Sequence, residues 1–339
     1  MKWLNVLRGD PTPWLLEPEN PAVRYWTLTG VLDRPAGDPE VREARAAVAQ
    51  QPLVQELFAH QHADGHWGDD ETKPHTAQGT LGVLGVLHMQ GVEPDERTVA
   101  GCDSFLRFCQ HESGGFSMTK TRRSGIFPCT TGAHLPFLVY FGLGDDPRVR
   151  RAFAFLVEDM STGDALDCGR YQHRDCLWGA IAALNGLAVL PVDMRSSQSE
   201  QVVQRLAGAL LDADYDFGGE HKRWFTFGVP RTWDLLSALR ALAQHPERGR
   251  GMAAHGYAQD PRFAPLLDRL LARQDEQGRW LCGSVSRTWP LEKRNRPSKW
   301  VTLDAQQLLR AVGQGTAHAA QIRAWQATPG EPNPIGKAQ

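Results

Sequence analysis

Long apolar runs are missing from this sequence. No stretch approaches the roughly 18 to 20 apolar residues that a transmembrane helix needs, and the opening MKWLNVLRGDPTPW has neither the apolar segment nor the cleavage site of a signal peptide. The formal net charge is only −2, so no global field attracts the chain to nucleic acid or anionic lipid. We therefore expect a cytoplasmic protein with no transmembrane segment and no nucleic-acid partner.

Several sequence patterns are also absent. There are no strand-like alternating runs of note, no P-loop, no dinucleotide-binding motif and no Cys-x-x-Cys. Six cysteines in a cytoplasmic chain indicate thiols or metal ligands rather than disulfides. Hydrophobic residues make up 41% of the 339 residues and charged residues 22%, which is enough to bury a core of ordinary size.

A repeat runs through the chain. QHADGHWG (61–68), QHESGGFS (110–117) and QDEQGRWL (274–281) each read Gln, three residues, Gly, one residue, then an aromatic residue. The first two begin 49 residues apart, and a weaker copy follows after a similar interval at Gly163. A period of about 50 residues predicts stacked supersecondary units.

Two kinds of helix flank each copy. Amphipathic segments such as DPRVRRAFAFLVED (146–159) precede the turns, and nearly all-apolar segments such as CTTGAHLPFLVYFGL (129–143) follow them. Six such pairs predict an all-α fold, an (α/α)6 toroid or barrel with charged outer helices and apolar inner helices. An open solenoid is the alternative that periodicity alone permits. We expect one toroid domain over 1–315, followed by a C-terminal helix and frayed tail over 316–339.

The Gln-x-x-x-Gly-x-Trp turn resembles the repeat of squalene–hopene cyclases and of protein prenyltransferase β subunits. WLLEPENPAVRYWTL (14–28) and PSKWVTLDAQQLL (297–309) look like a group of bacterial single-domain prenyltransferase/squalene-oxidase-repeat proteins. The resemblance implies an α/α toroid that holds an isoprenoid or similar amphiphilic ligand. It also implies that a partner subunit is possible, although nothing in the sequence indicates one.

Two departures from those families limit the implied chemistry. Cyclases of this type use Asp-x-Asp-Asp as a proton donor, whereas this chain has only GDDE (68–71) and DADYD (212–216). Acid-initiated cyclisation is therefore disfavoured. Prenyltransferases hold zinc with an Asp and a Cys two residues apart and a later His, whereas Asp175 and Cys176 are adjacent and no His opens either later inner helix.

Three cysteines lie at or just before the expected starts of inner helices. Cys129 and Cys176 open consecutive inner helices, and Cys168 lies in the turn before the second of them. In a closed ring these starts lie side by side, and a helix N-terminus favours the thiolate that binds metal. Three thiolates suit tetrahedral zinc. The fourth ligand stays open among His173, Asp175, His75 and water. Three packed thiols are the alternative, and packing is the expected role of Cys102, Cys109 and Cys282.

Other residues at the inner-helix starts are candidates for binding a substrate, because together they bring aromatic and charged groups to one mouth of the ring. These candidates are His75, Tyr171, Trp178, Arg231, Trp233, Asp234, Lys299, Trp300 and Asp304. Arg231 and Lys299 would face phosphates, and the aromatic faces would meet an isoprenoid chain. Core packing is the alternative for the aromatic residues, and helix capping or ion pairing is the alternative for Asp234 and Asp304.

We therefore expect a prenyltransferase-like enzyme acting on or binding an isoprenoid or similar amphiphile, assisted by zinc. The sequence names no catalytic residue. The competing hypothesis is a non-catalytic binding or scaffold toroid in which any zinc is structural and side chains fill the cavity.

Overall fold

The computed structural model of the chain describes most of its residues. These are residues 6–69, 76, 78–117, 125–162, 166, 176–215, 226–227, 234–243, 257–286, 288–289 and 291–313. The expected C-terminal helix and tail at 316–339 lie outside this set, so the predicted domain boundary at 315 stays a prediction.

Helices dominate the described residues, which confirms the predicted all-α class. They are α1 (Thr12–Leu15), α2 (Pro21–Gly30), α3 (Pro39–Ala49), α4 (Pro52–Ala59), α5 (Thr80–Gln90), α6 (Glu96–Cys109), α7 (Pro128–Tyr140), α8 (Pro147–Met160), α9 (Leu177–Leu187), α10 (Ser197–Leu211), α11 (Leu235–Leu242), α12 (Phe263–Leu271) and α13 (Lys299–Gly313). Two short strands, β1 (Thr226–Phe227) and β2 (Ser284–Val285), pair in parallel. In this part of the chain no helix has the length and hydrophobicity to cross a bilayer.

Six helices contact one another in cyclic order. The order is α2, α5, α7, α9, α11, α13 and again α2, and we call these six the inner helices. The helices α3, α6, α8, α10 and α12 each contact the inner helix that precedes them in the chain, and α1 contacts α13. The inner helices are the apolar segments that the sequence identified, because a helix with neighbours on several sides must be apolar around most of its circumference.

Three outer helices, α3, α6 and α8, begin at an aspartate cap. Asp146 is the N-cap of α8 and its carboxylate accepts a hydrogen bond from the Arg148 backbone N–H at 2.8 Å, while Pro147 occupies the first helical position. The Arg148 guanidinium bonds the same carboxylate at 2.7 Å and reaches Asp103 of α6 at 2.7 Å. The hydrogen bond from Arg148 holds the pKa of Asp146 below its ordinary value. The cap thus also joins two consecutive outer helices.

Each repeat turn is seated on the next outer helix. The Gln110 amide donates to the carbonyls of Gly114, at 2.9 Å, and Arg148, at 2.7 Å. Gly114 has a φ of +95°, and a Cβ there would collide with the Arg151 carbonyl, so only glycine permits this backbone approach. The preceding repeat makes the same contacts through Gln61, Gly65, Arg97 and Ala100.

The aromatic residue of each turn joins the turn to its own hairpin. The Trp280 indole N–H donates to the Leu270 carbonyl at 2.9 Å, and its backbone N–H donates to the Thr302 hydroxyl at 3.1 Å. The side chain is fully buried. Equivalent backbone bonds run from Trp67 to Thr80 and from Phe116 to Thr131. The aromatic residue of the turn therefore has a structural role in each of these repeats.

The last turn is completed by the N-terminal segment. Gln274 accepts a hydrogen bond from the Arg8 backbone N–H at 3.1 Å and donates to the Val6 carbonyl at 3.3 Å. Gly278 packs so closely on Gly9 that a Cβ would overlap the Gly9 carbonyl. Residues 6–9 therefore take the place that a following outer helix takes in the other repeats.

The first and last inner helices are joined by α13 side chains. Gln307 donates to the Trp26 carbonyl at 3.2 Å, and Arg310 donates to the Gly30 carbonyl at 2.9 Å. Arg310 also pairs with Asp33 at 2.8 Å. Together with the N-terminal segment, these bonds connect residues more than 260 positions apart in the chain.

Two inner helices approach each other through glycine. A Cβ on Gly132 of α7 would lie 2.5 Å from the Ala182 carbonyl oxygen of α9, and one on Gly186 would lie 2.8 Å from the Gly132 Cα. By contrast, a Cβ on Gly208 of the outer helix α10 would have no atom within 4 Å. The α7–α9 interface therefore has no room for a methyl group.

We predict that Gly132→Ala lowers the free energy of unfolding by about 1–3 kcal/mol, because the new methyl group must push two packed backbones apart. Gly208→Ala is the matched control and should be neutral or stabilise by up to about 1 kcal/mol, since alanine favours a helix over glycine. Urea denaturation measures both. Equal effects in the two variants would contradict the close packing.

We also predict that Gln110→Ala destabilises the protein by about 1–3 kcal/mol, because two buried carbonyls lose their donor. Gln201→Ala, at an exposed position of α10, is the control and should change stability by less than about 0.5 kcal/mol. Thermal denaturation at matched pH compares them. If Gln110→Ala is as stable as the control, the two hydrogen bonds of the Gln110 amide contribute nothing measurable to stability.

Candidate functional site

Each inner helix has a face turned away from its outer neighbours. On α7, Thr131 faces outward, because it bonds the preceding repeat turn. Cys129, Ala133, Pro136 and Tyr140 recur at spacings of four, three and four residues and are only partly buried, so they share one side of the helix. We call this side of an inner helix its inner face.

The inner face of α5 consists of small or flexible residues. Gly82, Gly85 and Met89 are partly exposed on a helix whose other positions are mostly buried. A Cβ on Gly85 would meet nothing within 4 Å. Open space therefore lies beside this helix, in contrast to the crowded glycines between α7 and α9.

An ion pair lies on the inner faces of α11 and α13. The Arg240 guanidinium is 2.6 Å from the Asp304 carboxylate, and the two side chains are 35% and 22% exposed. Asp304 was a sequence candidate but Arg240 was not. The available signal was a charged residue in the middle of the apolar segment RTWDLLSALRALAQ.

The ion pair and the small residues of α5 and α7 lie on helices that are not neighbours in the cyclic order. Asp304, Ala133 and Gly82 each lie two residues after the threonine that bonds its repeat turn. Arg240 pairs directly with Asp304. In the cyclic order α5 is three places from α11, and α7 is three places from α13. The charged pair and these small residues are therefore three helices apart in the cyclic order.

Trp26, in the middle of α2, contacts residues near the carboxyl-terminal ends of α5 and α7. The Trp26 indole N–H donates to the Met89 carbonyl at 2.8 Å, and its ring lies 6.3 Å from that of Tyr140. The Tyr140 hydroxyl donates to the Val92 carbonyl at 3.0 Å, and burial raises the pKa of this tyrosine above its ordinary value. These aromatic contacts link α2, α5 and α7 at one end.

The structure brings Cys129 and Cys176 together at the other end. A Cβ on Gly179 would lie 3.6 Å from the Cys176 sulfur and 3.9 Å from the Cys129 Cβ, so both side chains surround the same point. Cys168, the third predicted ligand, lies outside the described residues. Within the described residues, no group of three His, Cys, Asp or Glu side chains is arranged to hold a metal ion. The zinc site stays a prediction.

Two substrate-binding candidates are at helix starts. Trp178 is half-buried in the first turn of α9, and no described group pairs with its buried indole N–H. Asp234 is the N-cap of α11, 2% exposed, and its carboxylate accepts from the Ser237 backbone N–H at 2.7 Å. The capping alternative for Asp234 is therefore present in the structure.

Lys299 and Trp300 begin α13 beside the N-terminal segment. Lys299 pairs with Glu17 at 2.7 Å, and its amine lies 5.5 Å above the ring of Trp14. Trp300 is 4% exposed, and its backbone N–H donates to Glu292 at 3.2 Å. Burial raises the pKa of Glu292 above its ordinary value despite that bond. Lys299 thus pairs with Glu17, and the ion-pairing alternative for Asp304 is met by Arg240.

The remaining candidates lie outside the described residues, and their roles stay predictions. They are His75, Tyr171, Arg231 and Trp233, together with the alternative metal ligands His173 and Asp175.

Three further cysteines have the packing role expected of them. Cys102, Cys109 and Cys282 are all fully buried. Burial raises the pKa of the Cys102 thiol, which disfavours the reactive thiolate. The half-buried pair at Cys129 and Cys176 is therefore in a different environment.

Comparison with known proteins gives only distant likenesses. No family model and no curated protein matches the chain. A solved protein from Actinoplanes is 19% identical over 87% of this chain and 90% of its own, with a TM-score of 0.47. The type II terpene cyclase MstE from Scytonema is 14% identical over 90% of this chain and 89% of its own, with a TM-score of 0.44. Likenesses at this level transfer neither family membership nor activity.

Proposed function

We propose that the cyclic arrangement of inner helices is an (α/α)6 toroid whose interior binds an isoprenoid or similar amphiphilic molecule. The observation that carries the proposal is the open space beside Gly85 on the inner face of α5. A helix surrounded by protein would present packed side chains there, whereas Gly85 is partly exposed. A space lined by helices is an ordinary place for a small-molecule site.

The polarity of the inner faces supports an amphiphilic ligand. Gly82, Gly85, Ala133 and Pro136 offer no charge and little polarity along α5 and α7. Arg240 and Asp304 supply polar groups on α11 and α13. Ligand sites of this kind combine mostly apolar walls with a few oriented polar groups.

We further propose that Cys129, Cys168 and Cys176 hold a zinc ion at the amino-terminal end of the inner helices. The proximity of Cys129 and Cys176 supports this assignment. When bound, zinc would supply Lewis acidity and would stabilise thiolate or hydroxide in its coordination sphere. The protein residues would hold the metal beside the cavity, and a prenyltransferase-like transfer is the reaction class that this arrangement favours.

The alternative is a non-catalytic binding or scaffold protein. Trp300 and Asp234 favour it, because one is almost fully buried and the other caps a helix. Under this alternative any zinc would be structural and side chains would fill the interior. Ligand binding separates the two hypotheses.

We predict that wild-type protein binds geranylgeraniol and that Gly85→Phe weakens this binding at least tenfold, because the ring occupies the open space. Gly208→Phe is the matched control, since it adds the same ring beside an equally unobstructed glycine on an outer helix. Tryptophan fluorescence titration measures affinity, and circular dichroism checks folding. Equal affinities in both variants, or no binding to wild type, would reject the interior site.

We also predict about one equivalent of zinc in freshly purified, reduced protein, and its loss in Cys168→Ala and in Cys176→Ala. Cys282→Ala should keep the metal, because Cys282 is buried elsewhere and its thiol donates to the Ser284 carbonyl at 3.1 Å. Elemental analysis by mass spectrometry measures each protein. Metal-free wild type, or equal zinc in all variants, would contradict the zinc site. The three cysteines would then be packed thiols.

A further inference from the structure

We propose that Arg240, held in place by Asp304, binds an uncharged oxygen at the polar end of the ligand. The ligand class is then an apolar chain ending in an alcohol, phenol or ketone, which would be the acceptor of a transfer rather than its diphosphate donor. This inference rests on the proposed function and specifies the chemistry of the same site.

The geometry leaves donors available on Arg240. A guanidinium carries five N–H donors in a planar fork, and the Asp304 carboxylate lies 2.6 Å from one of its nitrogens. The side chain remains 35% exposed on an inner face. A ligand oxygen in the space beside it can therefore accept a hydrogen bond without displacing the carboxylate.

The position of the pair also suits a chain that ends at this level. Arg240 is three helices from α5 in the cyclic order. On α5, Gly82 is at the level of Asp304, and Gly85 lies about one turn further on. An apolar chain can lie along Gly82, Gly85 and Ala133 while its oxygen points to the guanidinium. The ion pair fixes the guanidinium beforehand, so little side-chain entropy is lost on binding.

Among the residues that the structure describes, the cations of α11 and α13 are paired with carboxylates, which disfavours a diphosphate. Asp304 neutralises Arg240, and Lys299, another cation of α13, pairs with Glu17. Taking a multiply charged anion out of water requires compensating positive charge. A neutral oxygen needs only a donor, and Arg240 provides one.

The test compares three probes with one C20 chain: geranylgeraniol, geranylgeranyl diphosphate and the corresponding hydrocarbon. Wild type should bind the alcohol more tightly than the diphosphate. Arg240→Met should weaken alcohol binding roughly 10- to 150-fold, the effect of losing one hydrogen bond to a charged group. It should change hydrocarbon binding less than about twofold. Arg269→Met, at an exposed position of α12, is the matched control and should change neither.

Two further variants check that the loss of binding is not caused by misfolding and test the role of the Asp304 charge. Arg240→Met combined with Asp304→Leu removes the pair without leaving a charge unpaired and should reproduce the loss of alcohol binding. Asp304→Asn leaves Arg240 unbalanced and should improve diphosphate binding relative to alcohol.

The outcomes separate this inference from the proposed function. If wild type binds the alcohol and the hydrocarbon but Arg240→Met and the double variant leave alcohol affinity unchanged, the inference is overturned and the cavity proposal stands. Tighter wild-type binding of the diphosphate than of the alcohol also overturns it. Failure of all three probes to bind overturns the proposed function and this inference together.

Discussion

The whole arrangement depends on one repeated contact, in which a Gln–Gly turn is seated on the backbone of the next outer helix. Gln110 shows its form: one amide satisfies a carbonyl of its own turn and one of α8. Gly114 makes the approach possible, because a Cβ would overlap the facing backbone. At Gln274 the N-terminal segment receives the turn, so the two ends of the chain stabilise each other.

This contact has a consequence for the proposed site, because hairpins seated in the same way place their inner helices at similar levels. Arg240 of α11 and Asp304 of α13 then meet as an ion pair. The small residues of α5 and α7 are three helices away in the cyclic order. Glycine has opposite effects on the two neighbouring inner helices α5 and α7. Gly132 allows two helices to touch, whereas Gly85 has open space beside it.

Repeat spacing predicted much of this, and for a physical reason. Equivalent positions in successive hairpins must be neighbours in space, so the proximity of Cys129 and Cys176 followed from their places in the repeat. Arg240 was missed, although a charge within an apolar helix was visible in the sequence. Its partner Asp304 lies 64 residues further along the chain, and no local pattern links the two. The substrate-binding roles of residues outside the described part remain predictions.

The sequence by itself determined the helical class, the length of the repeat and the turn residues that join one hairpin to the next. These properties depend on local periodicity and on the backbone freedom of glycine. Only the tertiary structure decided that Lys299 pairs with Glu17 and Arg240 with Asp304. Each pairing requires two distant segments to come within about 3 Å, and that distance exists only after the inner helices have packed in cyclic order.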